Sequence, residues 1–202
     1  DRYQADYPDG NPVVDPTGSA SNSYPVRRGG SWRNGGAVLR SAERNLSAPS
    51  GRFDFLGFRV GFQFTGKHNA DLNASVQLQM LWVEPGTFTM GSPVTEAGRN
   101  TNETEHNVTL TKGFYLGKYE VTQAQYEAVM TGNTDSLSAT PSQYGGNPNR
   151  PVEKVSHDDI QVFLTRLNAQ QSANIPTGWA YVLPTESQWE YACRAGTTTM
   201  YS

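Results

Sequence analysis

A loop-rich globular fold of short strands and short capped helices follows from composition, from alternating runs and from capping pairs. The 202 residues include Gly 20 and Pro 12 among many Asn, Ser and Thr, a turn-forming composition that argues against a helical bundle. Apolar Phe58, Val60 and Phe62 alternate with Arg59 and Gly61, the period of a strand with one buried face. Thr122 with Gln125, Ser156, and Thr185 with Gln188 each stand where a helix should begin, and long loops separate the helices they open. With 36% hydrophobic and 11% aromatic residues, the chain has enough apolar surface to build a core.

Taken in order, residues 1–23 are turn chemistry, with tight-turn signals at Pro8-Asp9-Gly10 and Asp15-Pro16-Thr17-Gly18. Residues 24–32 read as a strand entering a glycine turn. Gly29-Gly30 supplies positive φ or close approach there, and Trp32 is expected to anchor the turn in a core. Residues 33–45 have near-helical spacing at Val38, Leu39 and Ala42, which would put Arg40 and Arg44 on one helix face beside Glu43. A strand closes at 57–62, residues 67–75 are polar and aperiodic and read as a linker, and a fresh strand region opens at Leu78. Residues 108–110 and 114–122 alternate like paired strands around Lys112-Gly113. A helix QAQYEAVM follows Thr122, with Tyr126, Val129 and Met130 inward. Ser156 opens a second helix, in which Ile160, Phe163, Leu164 and Leu167 share a face. A third follows Thr185, with Trp189, Ala192 and Cys193 as its apolar face and Gly196 as its stop.

Net charge is −3, and basic residues cluster only at Arg27-Arg28, so no electrostatic footprint for nucleic acid or an anionic membrane is present. No apolar run reaches the roughly 18–20 residues that span a bilayer. A lone cysteine, Cys193, excludes an internal disulfide and a cysteine-based zinc site within this chain. Asn45, Asn73, Asn102 and Asn107 each begin an N-x-Ser/Thr triplet, a pattern that Asn/Ser/Thr-rich loops produce by chance.

MLWVEPGTFTMGS, FYLGKYEVTQAQYEAVM, PVEKVSHDDIQVFLTRLN and LPTESQWEYACRAGTT follow one another in the order of the first part of a domain that resembles the formylglycine-generating enzyme (sulfatase-modifying factor) family. DYPDGNPVVDPTG, VRRGGSWRNGGAVLRSAERN and FLGFRVGF are similar to the last part of the same domain. The closing part comes first, and the family's middle stretch, with its GLYDMxGNVWEW-like sequence, is missing. The resemblance implies an α+β, loop-rich fold related to C-type-lectin-like architecture. Residues 1–66 are then the C-terminal part of a first such domain, 67–75 a linker, and 76–202 the N-terminal part of a second. On this reading the chain is a fragment of a tandem repeat of bacterial type, cut at both ends. The alternative is one unit in which the two segments complete each other.

The resemblance also implies where chemistry would lie. The family enzyme oxidises a sulfatase cysteine to formylglycine with O₂ and a copper ion held by a thiolate pair after a GGS[WY] turn. Thiolates suit soft Cu(I), so other residues cannot simply stand in for them. Here that stretch is Arg33 to Val38 and holds no cysteine, so the first repeat is expected to have no such activity, no catalytic residue and no metal. Ser31 and Trp32 would border the equivalent cleft. Cys193 is read as part of an apolar helix face rather than as a nucleophile. His68, His106 and His157 lack the spacing of an iron site. Asp158 and Asp159 suit the first turn of a helix. Glu186 and Glu190 should partner Arg194, and Arg40 and Arg44 should tie loops together.

These residues point to a non-catalytic binding or scaffold module with a peptide, glycan or protein ligand, no nucleic acid partner, no membrane span and no cofactor. The rival is a formylglycine-generating oxidase whose cysteines, and therefore whose copper, lie beyond Ser202. A third reading is a ligand-display protein varying over 33–55. The low-charge, Asn/Thr/Gly-rich composition resembles exported members of the family and favours an extracytoplasmic location.

Overall fold

The computed structural model describes every residue except 3, 5, 6, 8–11, 63–68 and 202. In chain order its strands are β1 (Val13–Val14), β2 (Val26–Arg28), β3 (Arg44–Leu46), β4 (Gly61–Phe62), β5 (Asn69–Asn73), β6 (Val76–Val83), β7 (Gly86–Met90), β8 (His106–Leu110), β9 (Phe114–Gly117) and β10 (Tyr181–Val182). Its α-helices are α1 (Gln123–Met130), α2 (His157–Gln170) and α3 (Glu186–Arg194). This is the α+β, loop-rich class that the residues and the resemblance called for. The chain divides into two compact units, Asp1–Pro49 with Glu84–Lys112 and Pro184–Ser202, and Ser50–Val83 with Gly113–Leu183. Each unit takes segments from both sides of residues 67–75.

The second unit holds the larger apolar core. Its five-stranded sheet has the order β10-β4-β9-β6-β5, with every neighbouring pair antiparallel. The alternation at 58–62 has the expected result: Phe58, Val60 and Phe62 are buried while Arg59 is exposed. Phe62 faces Tyr181 on one side and Tyr115 on the other, and its ring stacks on Tyr181 at 4.6 Å. Helices α1 and α2 cover this core through Tyr126, Val129, Met130, Ile160, Phe163 and Leu167, with Tyr126 stacked on Phe163 at 5.4 Å. Both helices begin as their caps dictate. Thr122 forms a reciprocal capping box with Gln125, and Ser156 forms one with Asp159. Arg52 then clamps the Asp159 carboxylate through two hydrogen bonds of 2.6 Å each. Burial alone would raise the Asp159 pKa, but the bonds from Arg52 and Ser156 outweigh it and hold the carboxyl below its usual range.

The first unit is organised differently. A three-stranded sheet, β1-β8-β7, and a two-stranded sheet, β2-β3, lie with α3 against β7 and β2. Few apolar side chains are fully buried there: Ala42, Met90, Val108 and Leu110. Much of what fills the interior is ionic.

Several expectations are corrected. Asn69–Asn73, within the stretch read as a linker, forms the edge strand β5 and pairs with β6. Backbone pairing needs no periodicity in side chains, and Ala70 and Leu72 suffice to pack it on the core. Segments 108–110 and 114–122 do not pair with each other, since β8 joins β7 and β1 whereas β9 joins β6 and β4. Gly113 between them is required because the Trp82 ring occupies the place a Cβ would take. Residues 33–45 form only a short 3-10 turn, Gly36–Val38, before β3. The turn expected at Pro8-Asp9-Gly10 and the residue His68 lie outside the described residues.

Candidate functional site

The second unit contains a cleft of about 920 Å³, lined by side chains from several loops and strands. One wall is the outer face of the 57–60 segment, where Arg59 projects away from the core because Phe58 and Val60 point inward. Main-chain hydrogen bonds from Val121 N–H to Phe58 O (2.9 Å) and from Gly117 N–H to Val60 O (2.8 Å) fix that wall to the turn after β9. The turn brings Tyr119 and Glu120 to the same cleft. Strand β6 supplies Gln77 and Gln79 from its exposed face, and the loop after α1 adds Pro148, Asn149 and Pro151. Gln125 forms part of the floor and is fully committed, its amide donating to Gln77 O and accepting from Thr122 N–H.

The other polar side chains of the cleft are less committed. Arg59, Glu120, Gln79, Asn149 and the Tyr119 hydroxyl make no hydrogen bond or ion pair with another described residue. Tyr119 is 56% exposed, with the Lys118 ammonium 5.0 Å from its ring centre. Arg59 and Glu120 do not pair although both line this cleft. A volume of this size is at the upper end of what small-ligand sites offer and can seat several residues of a peptide.

The first unit shows the opposite condition, with its charges buried and satisfied by one another. Arg40, fully buried, bonds Glu96 at 2.7 Å, Glu103 at 2.5 and 2.7 Å, and Glu43 at 3.0 Å. Burial would raise the Glu103 pKa, but hydrogen bonds from Arg40, Ser92 and the Asn100 N–H bring it to about 2. Arg44 forks onto both oxygens of Glu186 at 2.7 and 2.8 Å, and Arg28 bonds Glu186 and Glu190. Arg194 reaches back one turn to Glu190 and onward to Gly91 O. Arg40 and Arg44 therefore tie loops together, as expected, and Arg194 takes Glu190 as its partner. Glu186 turns instead to Arg28 and Arg44.

The charged face of α3 is the buried one. Glu186, Ser187, Glu190 and Arg194 are buried, whereas Trp189, Ala192 and Cys193 are only partly so, which reverses the expected apolar face. The network of arginines is the reason: it satisfies each carboxylate, so burial of that face leaves no charge unpaired.

Trp32 does not anchor the glycine turn, being 66% exposed with the Arg33 guanidinium 5.0 Å from its ring centre. Gly29, at φ +85, is held instead against Trp189, whose ring would meet a Cβ at 2.7 Å. Ser31 donates from its hydroxyl to Asn34 Oδ1 at 2.7 Å within the same turn. Ser31 and Trp32 are thus adjacent at an exposed turn of the first unit, while the cleft lining belongs to the second. The His106 ring lies tilted against Tyr7 with centroids 4.0 Å apart, and His157 opens α2 beside Asp158. Among the described residues no group of three or more His, Cys, Asp or Glu could hold a metal. The cleft residues Arg59, Tyr119 and Glu120 were not singled out from sequence. Their signal was there: Arg59 alternates with buried neighbours, and Tyr119-Glu120 sits in a short turn before a capped helix.

Comparison with known proteins adds a family. The family model described as "Sulfatase-modifying factor enzyme 1-like domain" matches residues 68–202. The chain is 31% identical over 153 residues to "Chaperone protein LppX" of Paenibacillus barcinonensis, covering 61% of this chain and 48% of that protein. Its fold is similar to that of PvdO from Pseudomonas aeruginosa, with a TM-score of 0.54 and 26% identity over 67% of this chain and 54% of that one. The chain thus spans about half the length of each.

Proposed function

As the chain belongs to the sulfatase-modifying factor enzyme 1-like family, we propose that its described part is a non-catalytic binding module whose ligand is a polypeptide. The observation that carries this reading is the cleft of the second unit, where uncommitted amide, aromatic and charged groups converge without a nucleophile–base arrangement among them. The sequence supports it from another side. A copper site of the family enzyme's kind needs two thiolates, and this chain has one cysteine, Cys193. The relative named a chaperone protein makes a polypeptide the natural ligand class. Exposed Trp32, with the half-buried Ser31 beside it, would then offer a contact surface of the first unit.

A second reading, oxidation of a sulfatase cysteine by residues downstream of Ser202, rests on the family match itself. The two are separated by incubating the full-length protein, with whatever follows Ser202, with Cu(I), O₂ and a sulfatase-type cysteine peptide, and in parallel probing an immobilised array of unrelated peptides. We expect retention on a subset of the array and no aldehyde product. Aldehyde formation would overturn the non-catalytic assignment, and an array without bound protein would overturn the polypeptide ligand.

A further inference from the structure

The charges of the cleft narrow the ligand. Every arginine with a carboxylate partner described above is bound to it at 2.5–3.2 Å or closer, in both units. Arg59 and Glu120 share one cleft and yet stay apart. The backbone around them explains the separation. The Glu120 carboxylate lies against Gly57, where a Cβ would meet its Oε1 at 3.3 Å, and the turn carrying it is bonded through Val121 N–H to Phe58 O. Arg59 leaves the same wall from a segment whose course is set by its buried neighbours Phe58 and Val60. Opposite charges are therefore presented in one cleft, unpaired with each other and with their hydrogen-bonding capacity unused. Gln79 and Asn149 in the same lining leave donors and acceptors of the kind that match a peptide main chain.

We propose that this cleft selects polypeptide segments carrying an acidic and a basic side chain close together, the acid seated on Arg59 and the base on Glu120. The inference rests on the polypeptide reading above and specifies the ligand class of the same site. A ligand of one sign is disfavoured, because a phosphate or an acid-only segment that reaches Arg59 also meets Glu120, and a base-only segment meets Arg59. A neutral glycan could hydrogen-bond both groups but would offer neither an opposite charge. Arg59 adds a planar fork that binds a carboxylate through two parallel bonds, which gives direction as well as attraction.

The test uses the full chain and four fluorescein-labelled peptides of one length: one with neighbouring Asp and Lys, one acid-only, one base-only, and one with Asn and Gln at those positions. Fluorescence anisotropy should rank the Asp/Lys peptide about tenfold or more above the neutral one, the scale of one charge-assisted hydrogen bond. That preference should fall with added salt. R59E and E120K should each abolish it, with unchanged melting curves because both side chains are exposed. Lys112→Glu, an equal change of charge outside the lining residues, should retain it. Equal affinity for all four peptides would overturn the charge selection and leave the polypeptide reading standing. Failure of every peptide to bind would overturn both. A preference that survives both R59E and E120K would overturn this cleft as its source.

Discussion

Gly29 is the residue at which sequence position and structural role part company. Its φ of +85 is the left-handed region that favours glycine, and the ring it accommodates belongs to Trp189, far along the chain, rather than to nearby Trp32. Arg28 sits 5.3 Å from the Trp189 ring centre and carries that contact into the buried ionic network. We therefore expect Trp189→Ala to cost about 3 kcal/mol or more, as for other packed aromatics, whereas Trp32→Ala should change stability by no more than about 0.5 kcal/mol. Urea denaturation followed by circular dichroism measures both. Equal losses for the two would restore Trp32 as the anchor. Sequence made a Trp beside this glycine turn visible, but which Trp packs on it is a matter of tertiary contact.

At the level of elements, the helices were the most legible parts. Capping boxes at Thr122, Ser156 and Thr185 fix helix starts through bonds three residues apart, so local sequence contains the whole instruction. Strand β5 was illegible for the complementary reason. Its sequence NADLN has no strand pattern, and its structure comes from pairing with β6 through a turn in which Asn73 Oδ1 accepts from Ser75 N–H. Ala70 and Leu72 pack it on the core, Gln171 donates to Asp71 O, and Ala70 is 1% exposed. Ala70→Asp would bury an unpaired carboxylate there, and we expect a loss of several kcal/mol, the scale of an uncompensated buried charge. Asp at Ala74, an exposed residue of the adjoining turn, should be tolerated. Thermal melts of the two variants test the strand: indistinguishable curves would mean that residues 69–73 are a linker after all.

For the whole molecule, the consequence lies in how each unit is assembled. The sheet of the second unit places β4, from residues 61–62, between β10 and β9, and its core takes Phe58, Val60 and Phe62 from the same stretch. The first unit in turn pairs β1 with β8 in parallel, joining residues 13–14 to 108–109. Residues 76–202 expressed alone would therefore lack a central strand and its aromatic stack. We expect that fragment to show little dispersion in its amide NMR spectrum and to gain it when a peptide spanning residues 50–66 is added. A well-dispersed spectrum without the peptide would mean that residues 76–202 fold independently of what precedes them.

By itself the sequence determined what short-range physics controls: the loop-rich α+β class, the helix starts and the inward face of 58–62. It also determined the absence of a second cysteine, which no fold can supply. Tertiary structure alone decided which face of α3 is buried, because the sequence marks Trp189, Ala192 and Cys193 as the apolar face until Arg28 and Arg44 are placed against Glu190 and Glu186. It decided the cleft for the same reason. Arg59 and Glu120 are far apart in the chain, and the pairing of β4 with β9, continued by the hydrogen bonds between the 57–60 segment and the turn after β9, brings them to one cleft.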